Sequence, residues 1–499
     1  MASDSEPGAR GLTLAALAER LTSEGVSASG SGDPSTRVGG VTLDSRRVTP
    51  GDLYAALPGS HGHGADYWLQ AVEAGAVAIV TDAAGAERVG HAPMLVVPEV
   101  RPVLGRVAAL VYDEPATRLR MVGVTGTQGK TTTTRLLEGG LSGAGVPAAV
   151  IGTVGTRMLG EDVVSALTTP EAPDLQRLFR QMLERGVEAC AMEVSSHALV
   201  MGRVGGFAFD VAVFLNLGRD HLDFHRDMDD YFDAKASLFR PEHARRGLVN
   251  VDDDWGRRLV ERAGVPVRTM SSSGADADWR ATGIELREEG AVFRVTGPGV
   301  DVAAACPIPG AFNVGNTLAA IAAATTAGYD AAAVAEAIGR GPGVPGRLER
   351  IDEGQDFEVV VDYAHKPDAV AAAIGALRPV TRGRLVVVLG AGGDRDAGKR
   401  PLMGEIAAAG ADLLVVTDDN PRSEDPAAIR AAILAGTAGA GAEVLEIGDR
   451  RAAIAEAIRR AGPGDVVLVA GKGHETGQEI AGVVHPFDDR AVAREELRR

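Results

Sequence analysis

The sequence predicts an α/β protein of three domains, and three observations carry that prediction. At 499 residues the chain exceeds one ordinary domain, since a domain takes roughly 100–200 residues. Short apolar runs such as LVVVLG and LLVVT alternate with Ala-rich helical stretches such as DAAAVAEAIGR, the pattern of strands and helices taking turns about a mostly parallel sheet. MVGVTGTQGKTTTTRLLEGGL, residues 121–141, reads as an apolar strand, a Gly-rich loop and a helix.

In order along the chain, residues 1–116 are expected to form a small α/β domain. Residues 117–345 form a P-loop ATPase domain with a mostly parallel sheet, and 346–499 a C-terminal Rossmann-like domain. The Pro/Gly run GPGVPG at 341–346 reads as a hinge between the last two. MASDSEPGAR, too acidic for a secretory signal, is expected to be a disordered tip. No run reaches the roughly 18 apolar residues of a membrane span, so membrane insertion is not expected.

The formal charge of −17 argues against nucleic acid as a partner and requires anionic ligands to be caught by local devices. Cys190 and Cys306 are far apart and lack metal-ligand spacing, which fits a reducing compartment; the cytoplasm is the expected location. Of 51 basic residues only five are lysines: Lys130, Lys235, Lys366, Lys399 and Lys472. In a chain where arginine is the default cation, lysine persists where a compact, deprotonatable or modifiable amine is needed, so these five nominate sites.

Lys130 lies in the Gly-rich loop. Backbone N–H groups and the helix N-terminus would face phosphate, the lysine would reach it as a point charge, and a hydroxyl would bind Mg²⁺. Val124 stands where GxxxxGK[ST] has its first glycine, but Gly126, Thr127, Gln128, Gly129, Lys130, Thr131 and Thr132 remain. None of the lysines follows an asparagine, so the guanine-reading NKxD is absent and ATP is favoured over GTP. A dinucleotide reading of LVVVLGAGGDRD fails because its third glycine falls on Arg395.

GTQGKTT (126–132), MEVSSHAL (192–199), NLGRDHLDFH (216–225) and DYAHKP (362–367) together resemble the Mur ligases, the ATP-dependent amino-acid ligases of peptidoglycan synthesis. TLDSR (42–46), GGDRD (392–396), DNPR (419–422) and GKGHE (471–475) narrow the resemblance to members that add the third peptide residue. It implies ATP and Mg²⁺, an acyl-phosphate intermediate, and Lys130, Glu193, His221 and Lys235 as the catalytic set, with Thr131, Glu193, His221 and Lys235 at the metal and Lys235 carbamylated. His221 and its neighbours also read as a helix-capping Asp-His pair, and Lys235 as a salt-bridged helix lysine.

The resemblance implies adenosine contacts at Asn313, Asn316, Arg347 and Asp362; Asn313 also reads as a helix N-cap. It implies a uridine-nucleotide site at Leu43, Ser45 and the turn Ser60, His61, Gly62, and muramoyl-peptide contacts at Thr168, Thr169, Ser195 and Arg203. Leu167 and Met201, which replace polar residues of other members, are left out of the site. The substrates implied are UDP-N-acetylmuramoyl-L-alanyl-D-glutamate and meso-2,6-diaminopimelate, although the motifs do not separate the meso from the LL isomer.

DNPR follows the strand LLVVT, where ligands of open α/β sheets bind. The planar fork of Arg422 suits a carboxylate, and Pro421 fixes the turn that aims it. Diaminopimelate presents a second amino-acid head where lysine presents only an ammonium. In the family, Arg395, Asp419, Asn420, Pro421, Arg422, Gly471 and Glu475 form that pocket, with Glu475 toward the distal ammonium. Without the family, DNPRSEDP is a turn leading to a helix capped near Ser423 or Asp425. Lys399 and Lys472 receive no role from sequence. A folylpolyglutamate synthetase, a lysine-adding ligase and a non-enzymatic ATP-binding regulator are the rival readings.

Overall fold

The computed structural model describes residues 11–59, 62–163 and 167–499. The chain divides into two compact units. The first comprises Met1–Trp279 with Ala319–Asp330, and the second Arg280–Leu318 with Ala331–Arg499.

The first unit contains two larger sheets and a two-stranded pair, Leu12–Thr13 with Arg37–Val38. Near the N-terminus, strands Met94–Val96, Ala78–Thr81, Asp52–Ala55 and Gly40–Thr42 run parallel in that order, with Ser29–Ser31 antiparallel at the edge. Helices Leu14–Ser23 and Val100–Val111 cover it, and Leu17, Leu21, Leu53, Leu95 and Leu104 share its core. The second sheet places the strand before the Gly-rich loop, Arg120–Thr125, between Ala189–Glu193 and Val211–Phe214. Ala148–Gly152, Gly247–Asn250 and Val267–Ser271 extend it, all parallel. The run Val211, Ala212, Val213, Phe214 is buried at every position, as a strand covered on both faces must be.

The second unit holds an antiparallel ladder, formed by residues 280–287 of strand Trp279–Arg287 with Gly290–Gly297 and Val300–Cys306, and a six-stranded sheet. That sheet runs Glu349–Ile351, Glu358–Asp362, Val466–Ala470, Leu385–Leu389, Leu413–Val416, Glu443–Glu446, parallel except at its first pair. Its order brings DYAHKP, GKGHE, GGDRD and DNPR to one edge, because each follows the carboxyl end of a parallel strand. GPGVPG is packed rather than loose at its end: Tyr363 N–H donates to Gly346 O at 2.9 Å, and Gly346 N–H to Glu349 Oε2 at 2.8 Å. No helix among the described residues is long and apolar enough to cross a membrane.

Candidate active site

In the first unit the Gly-rich loop connects strand Arg120–Thr125 to helix Lys130–Gly143, and Gly129, at φ +87°, makes the left-handed step that starts the helix. One residue that the sequence reading left without a role fixes this loop. Asn216 Oδ1 accepts from the backbone N–H groups of Thr127 (3.1 Å) and Gln128 (2.9 Å), and its Nδ2 donates to Gln128 O. Thr127 Oγ1 accepts from Gly218 N–H at 2.9 Å and lies 3.2 Å from the Tyr231 hydroxyl. Lys130 Nζ donates to Gly126 O at 2.8 Å and Thr127 O at 3.2 Å. Thr131 and Thr132 are buried in the first helical turn.

Lys235, on helix Met228–Ala236, is 1% exposed; its Nζ donates to Gly126 O at 2.9 Å and lies 4.6 Å from the centre of the Tyr231 ring. Glu193 closes strand Ala189–Glu193 in register with Val124, accepting from Thr153 N–H (2.8 Å) and Thr153 Oγ1 (3.0 Å). His221 stands in a left-handed turn at φ +54° with Nε2 3.2 Å from Asp220 Oδ2. Beside it, the His197 imidazole is held below its ordinary value by burial. Among the described residues no three His, Cys, Asp or Glu side chains converge as a metal cage.

The muramoyl candidates form one hydrogen-bonded patch with Glu193. Thr169 Oγ1 donates to Glu193 O at 2.8 Å and accepts from Ser195 N–H at 3.3 Å, and Thr168 Oγ1 lies 3.2 Å from Thr153 Oγ1. Arg203 donates to Thr169 O and, at 2.8 Å, to Glu171. Glu171 and Asp174 form one wall of a cleft of about 690 Å³ whose other lining includes Leu43, Ser45, Tyr54 and Gly62. Ser45 Oγ is turned to Gln70 Oε1 at 2.9 Å, and burial pushes the Tyr54 hydroxyl up to about 12. Ser60 and His61 lie outside the described residues.

In the second unit, Asn313 is not a cap: it lies inside helix Ala311–Thr326, donating through Nδ2 to Pro309 O and accepting from Asn316 Nδ2 at 2.9 Å. Arg347 stacks over the Tyr363 ring at 4.7 Å, and Asp362 Oδ2 accepts from Leu348 N–H at 2.8 Å. Burial raises the Asp362 carboxyl, against the opposing charge of Arg347.

At the carboxyl edge Arg422 also adopts a left-handed backbone, φ +53°, which costs a non-glycine residue about 1–2 kcal/mol. Its N–H donates to Glu479 O, its carbonyl accepts from Ala481 N–H, and Nη1 donates to Gly393 O at 2.6 Å. The strand after GKGHE, rather than Pro421 alone, therefore aims the guanidinium. Arg395 is exposed on the neighbouring loop. Asn420 Nδ2 donates to Glu475 Oε2 at 2.9 Å, and Lys472 Nζ reaches both residues. Gly471, at φ +123°, faces Asp419: a Cβ there would lie 2.6 Å from Asp419 Oδ2.

Family models match about four-fifths of the chain. The Mur ligase family catalytic domain matches residues 37–112, the Mur ligase middle domain 124–324, and the Mur ligase glutamate ligase domain 346–473. A UDP-N-acetylmuramoyl-L-alanyl-D-glutamate--2,6-diaminopimelate ligase of Streptomyces coelicolor is 56% identical over 97% of this chain and 96% of its own. The chain belongs to the Mur ligase family. A similarly named ligase of Corynebacterium glutamicum is 51% identical over 92% of each chain. A solved structure of such a ligase superposes with a TM-score of 0.68 at 34% identity, covering 94% of this chain and 96% of that one. In this Mur ligase the residues to which sequence reasoning gave no role, Asn216, Thr153, Tyr231 and Lys472, hold named candidate residues in place. Asn216 and Lys472 stood inside quoted motifs; Thr153 and Tyr231 carried no comparable signal.

Proposed function

We propose that this Mur ligase uses ATP to join 2,6-diaminopimelate to UDP-N-acetylmuramoyl-L-alanyl-D-glutamate in peptidoglycan synthesis, a cytoplasmic reaction. The observation that carries this reading is the pair of opposite charges at one sheet edge: the Arg422 fork, held on Gly393 O, and the Glu475 carboxylate, held by Asn420. A carboxylate and an ammonium on one distal carbon need both. The names of the relatives at 51–56% identity support the same reading.

The chain's own groups divide the work. The loop 126–132 cradles phosphate with backbone N–H groups, the Thr127 and Gln128 amides being fixed by Asn216, while Lys130 supplies positive charge. The cleft at Leu43 and Ser45 takes the uridine nucleotide, and Thr168, Thr169, Ser195 and Arg203 the peptide end. Asn313, Asn316, Arg347 and Asp362 contact adenosine. Mg²⁺ keeps its water and phosphate oxygens and asks a protein for only one or two carboxylates. The buried Glu193 carboxylate at a strand end fits that demand, with Thr131, His221 and a carbamylated Lys235 as further holders. Held by these residues, the ion would supply positive charge that offsets the negative charge of the reactants.

The test is ADP formation with the muramoyl dipeptide and, separately, meso-diaminopimelate, LL-diaminopimelate and L-lysine. Turnover with a diaminopimelate and none with lysine is expected. Equal turnover with lysine overturns the assignment of Arg422.

A further inference from the structure

Lys472 is 0% exposed, and lysine is almost never fully buried unless paired. Its ammonium donates to Asn420 Oδ1 at 2.9 Å and Glu475 Oε2 at 3.2 Å, and lies 3.5 Å from Asp419 Oδ1. Two of these partners belong to the turn after Leu413–Val416, and Glu475 to the turn after Val466–Ala470. Strand Leu385–Leu389 lies between them, so the turns start two strand spacings apart, roughly 9.5 Å. Asn420 closes a ring: its Nδ2 donates to the same Glu475 oxygen, while its Oδ1 also accepts from Glu479 N–H. Beneath the ring, the buried Arg450, bidentate to Asp489, donates to Ala470 O at 3.0 Å and Asp418 O at 3.4 Å.

We propose that Lys472 is a positioning residue for the diaminopimelate pocket, touching no substrate but fixing the Glu475 carboxylate and the Asn420 amide in the orientation that receives the distal amino-acid head. This rests on the reading of that pocket given above. Without the ammonium, Asp419 and Glu475 are two carboxylates in one small space, and their repulsion turns Glu475 away from the ligand. A compact ammonium reaches the three acceptors from one point, whereas a guanidinium presents its donors in a rigid planar fork. That accounts for a lysine here in a chain that otherwise uses arginine. Arg450 holds the backbone of the two turns, so loss of the lysine leaves the strands in place and loosens only the side-chain ring.

The test uses the full chain carrying Lys472→Met or Lys472→Gln, with separate KM values for diaminopimelate, ATP and the muramoyl dipeptide, kcat at saturation, and a thermal melt. We expect KM for diaminopimelate to rise at least tenfold, the other two KM values to stay within twofold, and kcat to change little. An unchanged KM for diaminopimelate overturns the proposal. So does a parallel rise in all three KM values with a lowered Tm, or failure of both variants to fold, since each makes Lys472 a general structural strut. If the wild-type protein shows no diaminopimelate-dependent ADP formation while turning over another amino acid, the reading of the pocket fails and this proposal with it.

Discussion

Two ammonium groups share one carbonyl in the phosphate loop: Gly126 O accepts from Lys130 at 2.8 Å and from Lys235 at 2.9 Å. Like charges so close favour any change that removes one of them, and a carbamate on Lys235 does so. Arginine at 235 keeps the charge and cannot be carbamylated. Lys235→Arg and Lys235→Ala are both expected to lower kcat about 100-fold or more, the size of a lost transition-state charge contact; near-wild-type ADP formation by Lys235→Arg would remove the carbamate from the account. His365 offers a test by pH. Burial lowers its imidazole to about 4, and its Nδ1 lies 2.7 Å from Tyr363 O. The unfolded chain therefore binds a proton near its ordinary value of about 6.5 that the folded chain refuses until about pH 4. Stability contributed at pH 7 is lost as pH falls through that window. In thermal melts His365→Asn, which keeps a donor for the carbonyl, is expected to show a shallower loss of Tm between pH 7 and 5 than wild type. Equal slopes would assign the acid sensitivity to other groups. Lys130 and Glu193 were nominated by the sequence because each stands inside a quoted motif, and Lys235 because lysine is rare in this chain. Asn216, whose amide fixes the loop, was not, because its partners at 127 and 128 are about ninety positions away.

At the scale of elements, the amino-acid pocket depends on how closely the turn 417–422 crosses the end of its neighbour strand. A Cβ on Gly390 would lie 2.7 Å from Thr417 O and 3.0 Å from Asp419 N. Both are backbone atoms with little freedom to yield, and overpacking of this kind costs about 1–3 kcal/mol. Gly390→Ala is expected to raise KM for diaminopimelate about tenfold and lower Tm by a few degrees, with uridine-nucleotide binding by calorimetry unchanged. An unchanged KM would mean that the turn relaxes without disturbing Arg422. The strand before DNPR was readable from its apolar run, and Leu413–Val416 is where it lies. Asp425 caps helix Pro426–Leu434, one of the two caps expected. The hairpin Gly477–Ile480 with Val483–Pro486 has too little apolar patterning to announce itself, yet its backbone holds Arg422.

For the whole molecule, the net charge of −17 sets a long-range field that opposes nucleotide ligands, and the local devices act only at short range. Salt at physiological strength cuts that field to about 8 Å. The association rate of the muramoyl nucleotide, followed by stopped flow at fixed Mg²⁺, is expected to rise a few-fold between low and 0.15 M salt; a fall would show that basic groups near the cleft dominate the encounter. By itself the sequence determined the α/β class, the Gly-rich loop and the family, and it nominated the candidate site residues, since each is written in contiguous stretches whose spacing and residue types are the signal. Only the tertiary structure decided how those residues are held. The order of parallel strands puts DNPR and GKGHE two strands apart at one edge, and a buried lysine, an asparagine and a left-handed arginine join them. Sheet order depends on pairings between distant segments, and a buried cation is recognised only once its partners are known.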